Sequence, residues 1–245
     1  MEPIRAGSGL LRPLIDSPGV RLVAALAVLG VVIAGGVVGV RQVLGAERCS
    51  IQVAGQSREL SPDEARTLTE LAAAEPTVAK LGSQLDGDDE LAKALLGSGG
   101  PALTCLADAA DVRREAEGRG GLTPRAESLR AAMEREFGDL PLGGFAPGGV
   151  RSGHIRGSAH YEGRAIDVFF RPVNRENQRQ GWVLAQWLVA HAEDFDIATV
   201  IFADRIWTQR RSPQGWRDYQ HPSGNTSNPI LRHLDHVHVD VARGA

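Results

Sequence analysis

The sequence is poor in cysteine and lysine, and its first 150 residues contain no histidine. The two cysteines, Cys49 and Cys105, form no Cys-x-x-Cys motif, which excludes a zinc ribbon or a redox pair of that type. The net charge of -3 comes without a basic run, so the charge pattern gives no support for a nucleic-acid partner. Because all seven histidines follow residue 150, any histidine-based metal chemistry belongs to the last hundred residues.

The run from Leu22 to Val40 contains no charged residue and predicts a transmembrane helix. At about 1.5 Å per residue, a helix of this length nearly matches a hydrocarbon core of about 30 Å. Residues 1–21 are then a cytoplasmic segment, an orientation that the flanking arginines support weakly. The alternative is a signal peptide, but Leu44-Gly45-Ala46 is a poor cleavage site, so we favour an uncleaved anchor. In both cases we expect the remainder outside the cytoplasmic membrane, either membrane-anchored or secreted.

Residues 41–116 are predicted to form a small, mostly helical extracytoplasmic module. Ser61-Pro62-Asp63-Glu64 is a capping box with proline in the first helical position, and this helix should end before Pro76. Another helix is expected from Asp88 to Leu96, before a Gly- and Ser-rich break. We expect a disulfide between the two cysteines because both lie on the exported side, with two buried free thiols as the alternative.

A Gly-rich break at residues 117–121 is the predicted boundary before a second domain, residues 117–245. Thr123 and Pro124 open a helix there, and residues 176–193 have the apolar spacing of a second one. Strands are expected at 165–170, at 197–207 and near the C-terminus. In the first and last of these, apolar and polar residues alternate between two faces. The fold class predicted is α+β: a small antiparallel sheet with helices covering one face and a reaction cleft on the other.

Two separated motifs supply candidate metal ligands. The first is Ser158-Ala159-His160-Tyr161-Glu162-Gly163-Arg164-Ala165-Ile166-Asp167, and the second is Asp235-His236-Val237-His238. They suggest His160, Asp167 and His238 as three ligands, with a fourth position for water, which is the arrangement of a catalytic Zn²⁺ site. A hydrogen-bonded polar cluster without metal is the alternative.

In order and spacing, the paired motifs resemble the LAS metallopeptidases. That group includes D-alanyl-D-alanine dipeptidases and carboxypeptidases, L-alanyl-D-glutamate endolysins and the hedgehog signalling domain. The resemblance covers roughly residues 122–242, and the closing motif also looks like a secreted actinobacterial domain of the same general fold with a poorly defined substrate. A hedgehog- or DD-peptidase-like fold is therefore expected.

The resemblance also implies roles for individual residues. Asp235 stands at the position of the general base, and His236 would hydrogen-bond the oxyanion or hold the water. Ser158 would support the ligand loop through a hydrogen bond. Apart from the resemblance, Asp240 shares a strand face with the histidines and could orient one of them, although a solvated edge carboxylate is the favoured alternative. For the arginine that steadies the substrate, Arg151 and Arg156 are the nearby candidates, although solvated surface residues are the alternative. The remaining histidines, namely His154, His191, His221 and His233, are expected to be packed or surface residues.

The function favoured by these observations is a membrane-anchored, zinc-dependent peptidase that hydrolyses peptidoglycan stem-peptide bonds. The alternative is a non-catalytic, hedgehog-like module that keeps the metal and binds cell wall or a protein. A weaker third possibility is metal buffering or sensing. The sequence does not indicate which bond is cut, and it does not indicate an oligomeric state.

Overall fold

The computed structural model describes residues 48–53, 55–74, 77–97 and 100–244. The predicted anchor at residues 22–40 lies outside these ranges. Within them, no helix combines the length and the apolar character needed to cross a membrane. Residues 48–244 belong to one compact unit, and the boundary predicted at residue 117 lies inside it.

The first part of this unit combines a three-stranded antiparallel sheet with three helices. The strands are β1 (Arg48–Val53), β2 (Gln56–Leu60) and β3 (Leu103–Leu106), in the order β2-β1-β3. The helices are α1 (Pro62–Ala74), α2 (Val78–Gln84) and α3 (Asp89–Leu95). The prediction of a mostly helical module missed this sheet, in which β1 pairs with the adjacent β2 and with β3 from about fifty residues further along the chain.

Local capping signals were read correctly in this part. The backbone N–H of Ser61 donates to Glu64 Oε2 at 2.7 Å and the N–H of Glu64 donates to Ser61 Oγ at 3.2 Å, so the predicted capping box forms. The Asp88 side chain accepts from the N–H of Leu91 and caps α3. Both helices therefore begin where short-range sequence chemistry places them.

The predicted disulfide between Cys49 and Cys105 is confirmed. The two residues lie directly opposite each other on β1 and β3, and both are buried. The bond therefore fastens the central strand of the small sheet to an edge strand that enters the fold much later.

The larger sheet has six antiparallel strands in the order β4-β5-β9-β6-β7-β8. They are β4 (Leu142–Gly143), β5 (Ala165–Phe169), β6 (Ile197–Phe202), β7 (Arg205–Thr208), β8 (Arg217–Asp218) and β9 (His236–Val241). The single strand predicted over residues 197–207 is wrong, since β6 and β7 form a hairpin. Ala203 and Asp204 both have positive φ values, 47° and 60°, as a tight two-residue hairpin turn requires.

Helices cover one face of the larger sheet, as predicted. Helix α4 (Pro124–Phe137) begins after the N-cap Thr123, and α5 (Arg175–Ala190) begins after the N-cap Asn174. The covered face is apolar: Ile166 and Val168 of β5 and Val237, Val239 and Val241 of β9 are fully buried and share a core with both helices. The polar residues that alternate with them lie on the opposite face. The mixed α+β architecture with antiparallel sheets is therefore confirmed.

Hydrogen bonds tie the small sheet to the larger one. Gln186 of α5 accepts from the N–H of Leu103 and donates to the carbonyl of Leu95. The Trp207 indole N–H donates to the carbonyl of Cys105, and that of Trp216 donates to the carbonyl of Leu103. Strand β3 is thus bonded on one side to its own sheet and on the other to α5, β7 and the loop before β8.

Loss of the disulfide should destabilise the protein without changing its fold. The bond closes a loop of 56 residues, and loops of this size contribute about 2–4 kcal/mol through the denatured state. We expect the double substitution Cys49→Ala and Cys105→Ala to lower the free energy of unfolding by that amount, measured by urea denaturation with an unchanged far-UV spectrum. A loss below about 0.5 kcal/mol would contradict a stabilising role of the disulfide.

Candidate metal centre

Three side chains converge on the polar face of the larger sheet. Asp167 on β5 and His238 on β9 are direct partners in the strand register, and His160 comes from a short 3-10 helix, Ala159–Glu162, just before β5. The distances are 3.1 Å from His238 Nδ1 to Asp167 Oδ1, 3.1 Å from His160 Nε2 to His238 Nδ1, and 3.3 Å from His160 Nε2 to Asp167 Oδ1. Bonds of about 2.0–2.1 Å to a tetrahedral ion place its ligand atoms about 3.3–3.4 Å apart. The triangle therefore fits a metal ion, as the buried His–Asp–His group allows.

Hydrogen bonds on the far side of each imidazole turn the free lone pairs inward. His160 Nδ1 lies 2.7 Å from the Gly144 carbonyl oxygen and His238 Nε2 lies 3.3 Å from Asp240 Oδ2, so each of these nitrogens donates. The opposite nitrogens then present lone pairs to Asp167 Oδ1. Three acceptors at such distances repel one another unless a cation or a proton lies among them. Asp240, for which a solvated position at the sheet edge was the favoured alternative, therefore contacts His238.

The charges of the cluster follow from these contacts. Burial alone raises the pKa of Asp167, but the adjacent imidazoles of His160 and His238 bring it far below its ordinary value, so the carboxylate is ionised. Burial alone lowers the pKa of His238, whereas its hydrogen bonds with Asp167 and Asp240 raise it to about 9. In the metal-free protein, His238 therefore carries the proton that balances the buried carboxylate.

The loop that carries His160 is shaped by its neighbours in sequence. Ser158 Oγ accepts from the backbone N–H of His160 at 3.3 Å and caps the 3-10 helix. Gly163 ends the 3-10 helix in the left-handed region, with φ of 62°, and turns the chain into β5. The spacing between the first two ligands is therefore set by one short turn.

Gly144 is a structural requirement of the site that the sequence analysis did not single out. Its carbonyl orients His160, its φ is +81°, and a Cβ there would lie 2.3 Å from His160 Cε1. Only glycine leaves room for the imidazole at this position. Its place in a Gly- and Pro-rich loop gave no way to distinguish it from the other glycines, because its partner is sixteen residues away.

Beside the ligands, Asp235, His236 and Arg171 form a connected group. Asp235 Oδ1 lies 2.8 Å from His236 Nδ1, and Asp235 Oδ2 accepts from Arg171 Nε at 2.7 Å. Burial alone raises the pKa of Asp235, but these two hydrogen bonds lower it. With Nδ1 committed to Asp235, His236 Nε2 faces the ligands and lies 3.9 Å from Asp167 Oδ1. His236, and not Asp235, lines the cleft.

The ligands lie in a cleft of about 660 Å³ whose wall contains six of the seven histidines. Three of these six, His154, His221 and His233, were expected to be packed or surface residues. His154 stacks on His160 with ring centroids 4.0 Å apart, and the His233 ring centroid lies 4.6 Å from that of His236. Burial, with His238 and His236 nearby, lowers the pKa of His233 to about 2, so this imidazole is neutral. His191 alone lies elsewhere, in contact with Trp187 and Asp194.

The two arginines predicted to bind substrate do not line this cleft. Arg151 donates to the carbonyl of Gly148 and borders a separate cavity of about 260 Å³. Arg156 is exposed on the loop before His160. The arginines that do border the cleft are Arg164, which lies within the first motif, and Arg171, which follows it. The LAS metallopeptidases carry their substrate arginine upstream of the first ligand histidine, so Arg171, which follows Asp167, was not among the predicted residues.

Comparison with known proteins gives one partial match. Residues 118–230 match the family model described as VldE, C-terminal domain, which covers less than half of the chain. The matched segment contains His160 and Asp167 but ends before Asp235, His236 and His238. Searches of curated proteins and of solved structures found no match. The similarity is limited to this segment, and the comparisons show no LAS-type peptidase family.

The ligand assignment predicts that the full chain binds one divalent ion and that His160→Ala or His238→Ala abolishes this binding. Each substitution removes one of three protein ligands. The matched control is His221→Ala, which removes a histidine of the same cleft outside the ligand triangle and should leave binding intact. Metal content by mass spectrometry and affinity by calorimetry test this. Unchanged metal content in both ligand variants would refute the assignment.

Metal binding at pH 7 should release about one proton per ion, because the ion replaces the proton on His238 Nδ1 of the metal-free protein. With the pKa of His238 raised to about 9, the proton is bound below that pH and lost above it, so release should fall towards zero above pH 9. Calorimetry in two buffers of different ionisation enthalpy measures the number released. A value near zero at pH 7 would contradict the protonation described for His238.

Proposed function

We propose that this protein is a zinc-dependent peptidase that acts outside the cytoplasmic membrane on peptidoglycan stem peptides. The observation that carries the proposal is the convergence of His160 Nε2, Asp167 Oδ1 and His238 Nδ1 at a cleft that also contains His236 Nε2. The peptide substrate rests on the resemblance of the two motifs to LAS metallopeptidases.

The donor set favours Zn²⁺ among divalent ions. Two imidazole nitrogens and one carboxylate oxygen, with sides of 3.1–3.3 Å, suit a four-coordinate ion with one position left open. A zinc ion in such a site supplies Lewis acidity, which lowers the pKa of water and polarises a carbonyl. The protein's part is to hold the ligands in their reactive tautomers through Gly144 and Asp240.

His236 is the better-placed proton acceptor of this site. Its Nε2 faces the ligands, while Asp235 holds Nδ1 in the donor tautomer and stabilises the positive charge that a proton on Nε2 would create. Asp235 itself is engaged by two partners and is absent from the cleft wall. We therefore assign Asp235 a positioning role, in place of the direct base role expected from its position in the motif.

The extracytoplasmic location is supported by the disulfide, because such bonds persist in oxidising compartments. Anchoring by residues 22–40 remains a prediction from the uncharged run. Hydrogen bonds of the small sheet and its helices to α5 and β7 hold that part of the protein to the larger sheet that carries the cleft.

A non-catalytic binding module is the second candidate. It is supported by the departure of Asp235 from the general-base role that the resemblance implies, because this carboxylate is held by Arg171 and His236 and its pKa is lowered. Under this alternative the metal would organise a surface that recognises wall peptides or a protein.

Mass spectrometry of purified muropeptides incubated with the zinc-loaded full chain tests the proposal. We expect hydrolysis at one stem-peptide bond, with His236→Ala lowering kcat by about 10²- to 10⁴-fold because the proton acceptor is lost. Asp235→Asn should lower kcat by a smaller factor, since the imidazole stays in place. Zinc content should be unchanged in both variants.

Asp218→Asn is the matched control for Asp235→Asn, because Asp218 is an exposed carboxylate on β8 at the edge of the sheet. It should leave kcat and zinc content unchanged. Absence of any product from the zinc-loaded protein, together with retained binding of muropeptides, would instead establish the binding module.

A further inference from the structure

Among the described residues, Arg164 and Arg171 are the arginines that border the cleft, and Arg171 is the more exposed of the two. Its side chain is 52% exposed, and it is held by Nε to Asp235 and by a stack on Phe169, with Cζ 4.1 Å from the ring centroid. Within the described part of the chain, neither of its Nη atoms has a hydrogen-bond partner. Arg164, the other cleft arginine, is 13% exposed and bonds Glu162 and the carbonyl of Val241.

The position of Arg171 is fixed. One edge of the guanidinium is held by a buried carboxylate and one face lies on an aromatic ring, so little conformational entropy is lost when the other edge binds a ligand. Arg171 and Phe169 also border a second hollow of about 470 Å³, lined by apolar residues such as Leu140 and Val183 and also by several charged and amide side chains. The guanidinium therefore lies where the cleft meets this hollow, open to a chain that extends from one to the other.

The link between Arg171 and the metal ligands is short. Only Asp235 and His236 stand between the guanidinium and Asp167 Oδ1, through contacts of 2.7, 2.8 and 3.9 Å. A ligand group bound to the Nη edge would thus lie within a residue or two of a peptide bond at the metal. A planar fork of N–H donors matches a carboxylate in shape and charge.

We propose that Arg171 binds a carboxylate of the peptide ligand, so that the cleft takes anionic peptides in a fixed register relative to the metal. This proposal rests on the proposed function in taking the ligand to be a peptide. The carboxylate comes either from the C-terminus of the peptide or from an acidic side chain, and the test separates these two sources.

Equilibrium binding to the zinc-loaded full chain tests the proposal with two pairs of probes. The first pair is N-acetyl-D-alanyl-D-alanine and its C-terminal amide. The second is N-acetyl-L-alanyl-D-glutamic acid α-amide and the corresponding glutamine peptide, which differ only in the side-chain carboxylate. We expect the acid of one pair to bind about 10- to 100-fold more tightly than its neutral partner, the range for hydrogen bonds to charged groups. The pair that shows the preference identifies the source.

Arg171→Gln should remove this preference, and Arg171→Lys should restore part of it because the charge returns without the fork. The neutral probes serve as an internal control. If Arg171 acted only by positioning Asp235, the substitution would weaken acid and amide alike and leave their ratio unchanged. Arg210→Gln removes an exposed arginine outside the cleft and should change neither affinity.

A preference for the acid that survives in Arg171→Gln would overturn the proposal, because the carboxylate would then be bound by the metal or by another residue. No preference in either pair, or no binding of either acid, would overturn it as well. Hydrolysis is not needed for these measurements. A protein that binds acids through Arg171 but cleaves nothing would refute the peptidase function and leave the carboxylate site established.

Discussion

The site depends on one electrostatic constraint: three electron-pair donors, namely two imidazole nitrogens and a carboxylate oxygen, are held about 3 Å apart in a buried place. Asp167 and His238 are brought there by direct pairing of β5 with β9, and His160 by the turn at Gly163. Gly144 and Asp240 occupy the far nitrogens of the two imidazoles, so the remaining lone pairs point at one another. Such a cluster is stable only with positive charge among its members, which a proton on His238 or a metal ion supplies.

The rest of the fold serves to hold β5 and β9 rigidly beside each other. Their apolar residues are buried against α4 and α5 on one face. Because successive side chains alternate, the polar residues must then lie on the opposite face. A slip of one residue in the register would move the histidines into the core and the valines to the cleft. The burial of Val237, Val239 and Val241 is therefore also what positions His236 and His238.

Charge in the cleft is distributed in two connected groups. The first is the ligand triangle with its supporting contacts, and the second is the series from His236 through Asp235 to Arg171. In the second group, the Asp235 carboxylate fixes the orientation of His236. At the other end of this group, the half-exposed guanidinium of Arg171 lies at the edge of the cleft. In the proposed function, the ligand triangle holds the metal ion that activates water. The second group accepts a proton through His236 and orients the peptide through Arg171.

The sequence by itself determined the elements governed by short-range chemistry: the capping box at Ser61, the N-cap at Thr123, and the alternating faces of β5 and β9. Local spacing suffices for these because each is decided within a few residues. Only the tertiary structure decided that β3 pairs with β1, that Gly144 orients His160, and that Arg171 reaches Asp235. These contacts join positions from sixteen to more than sixty residues apart, and the choice among many possible partners at such separations is made by packing and burial, which a local pattern does not encode.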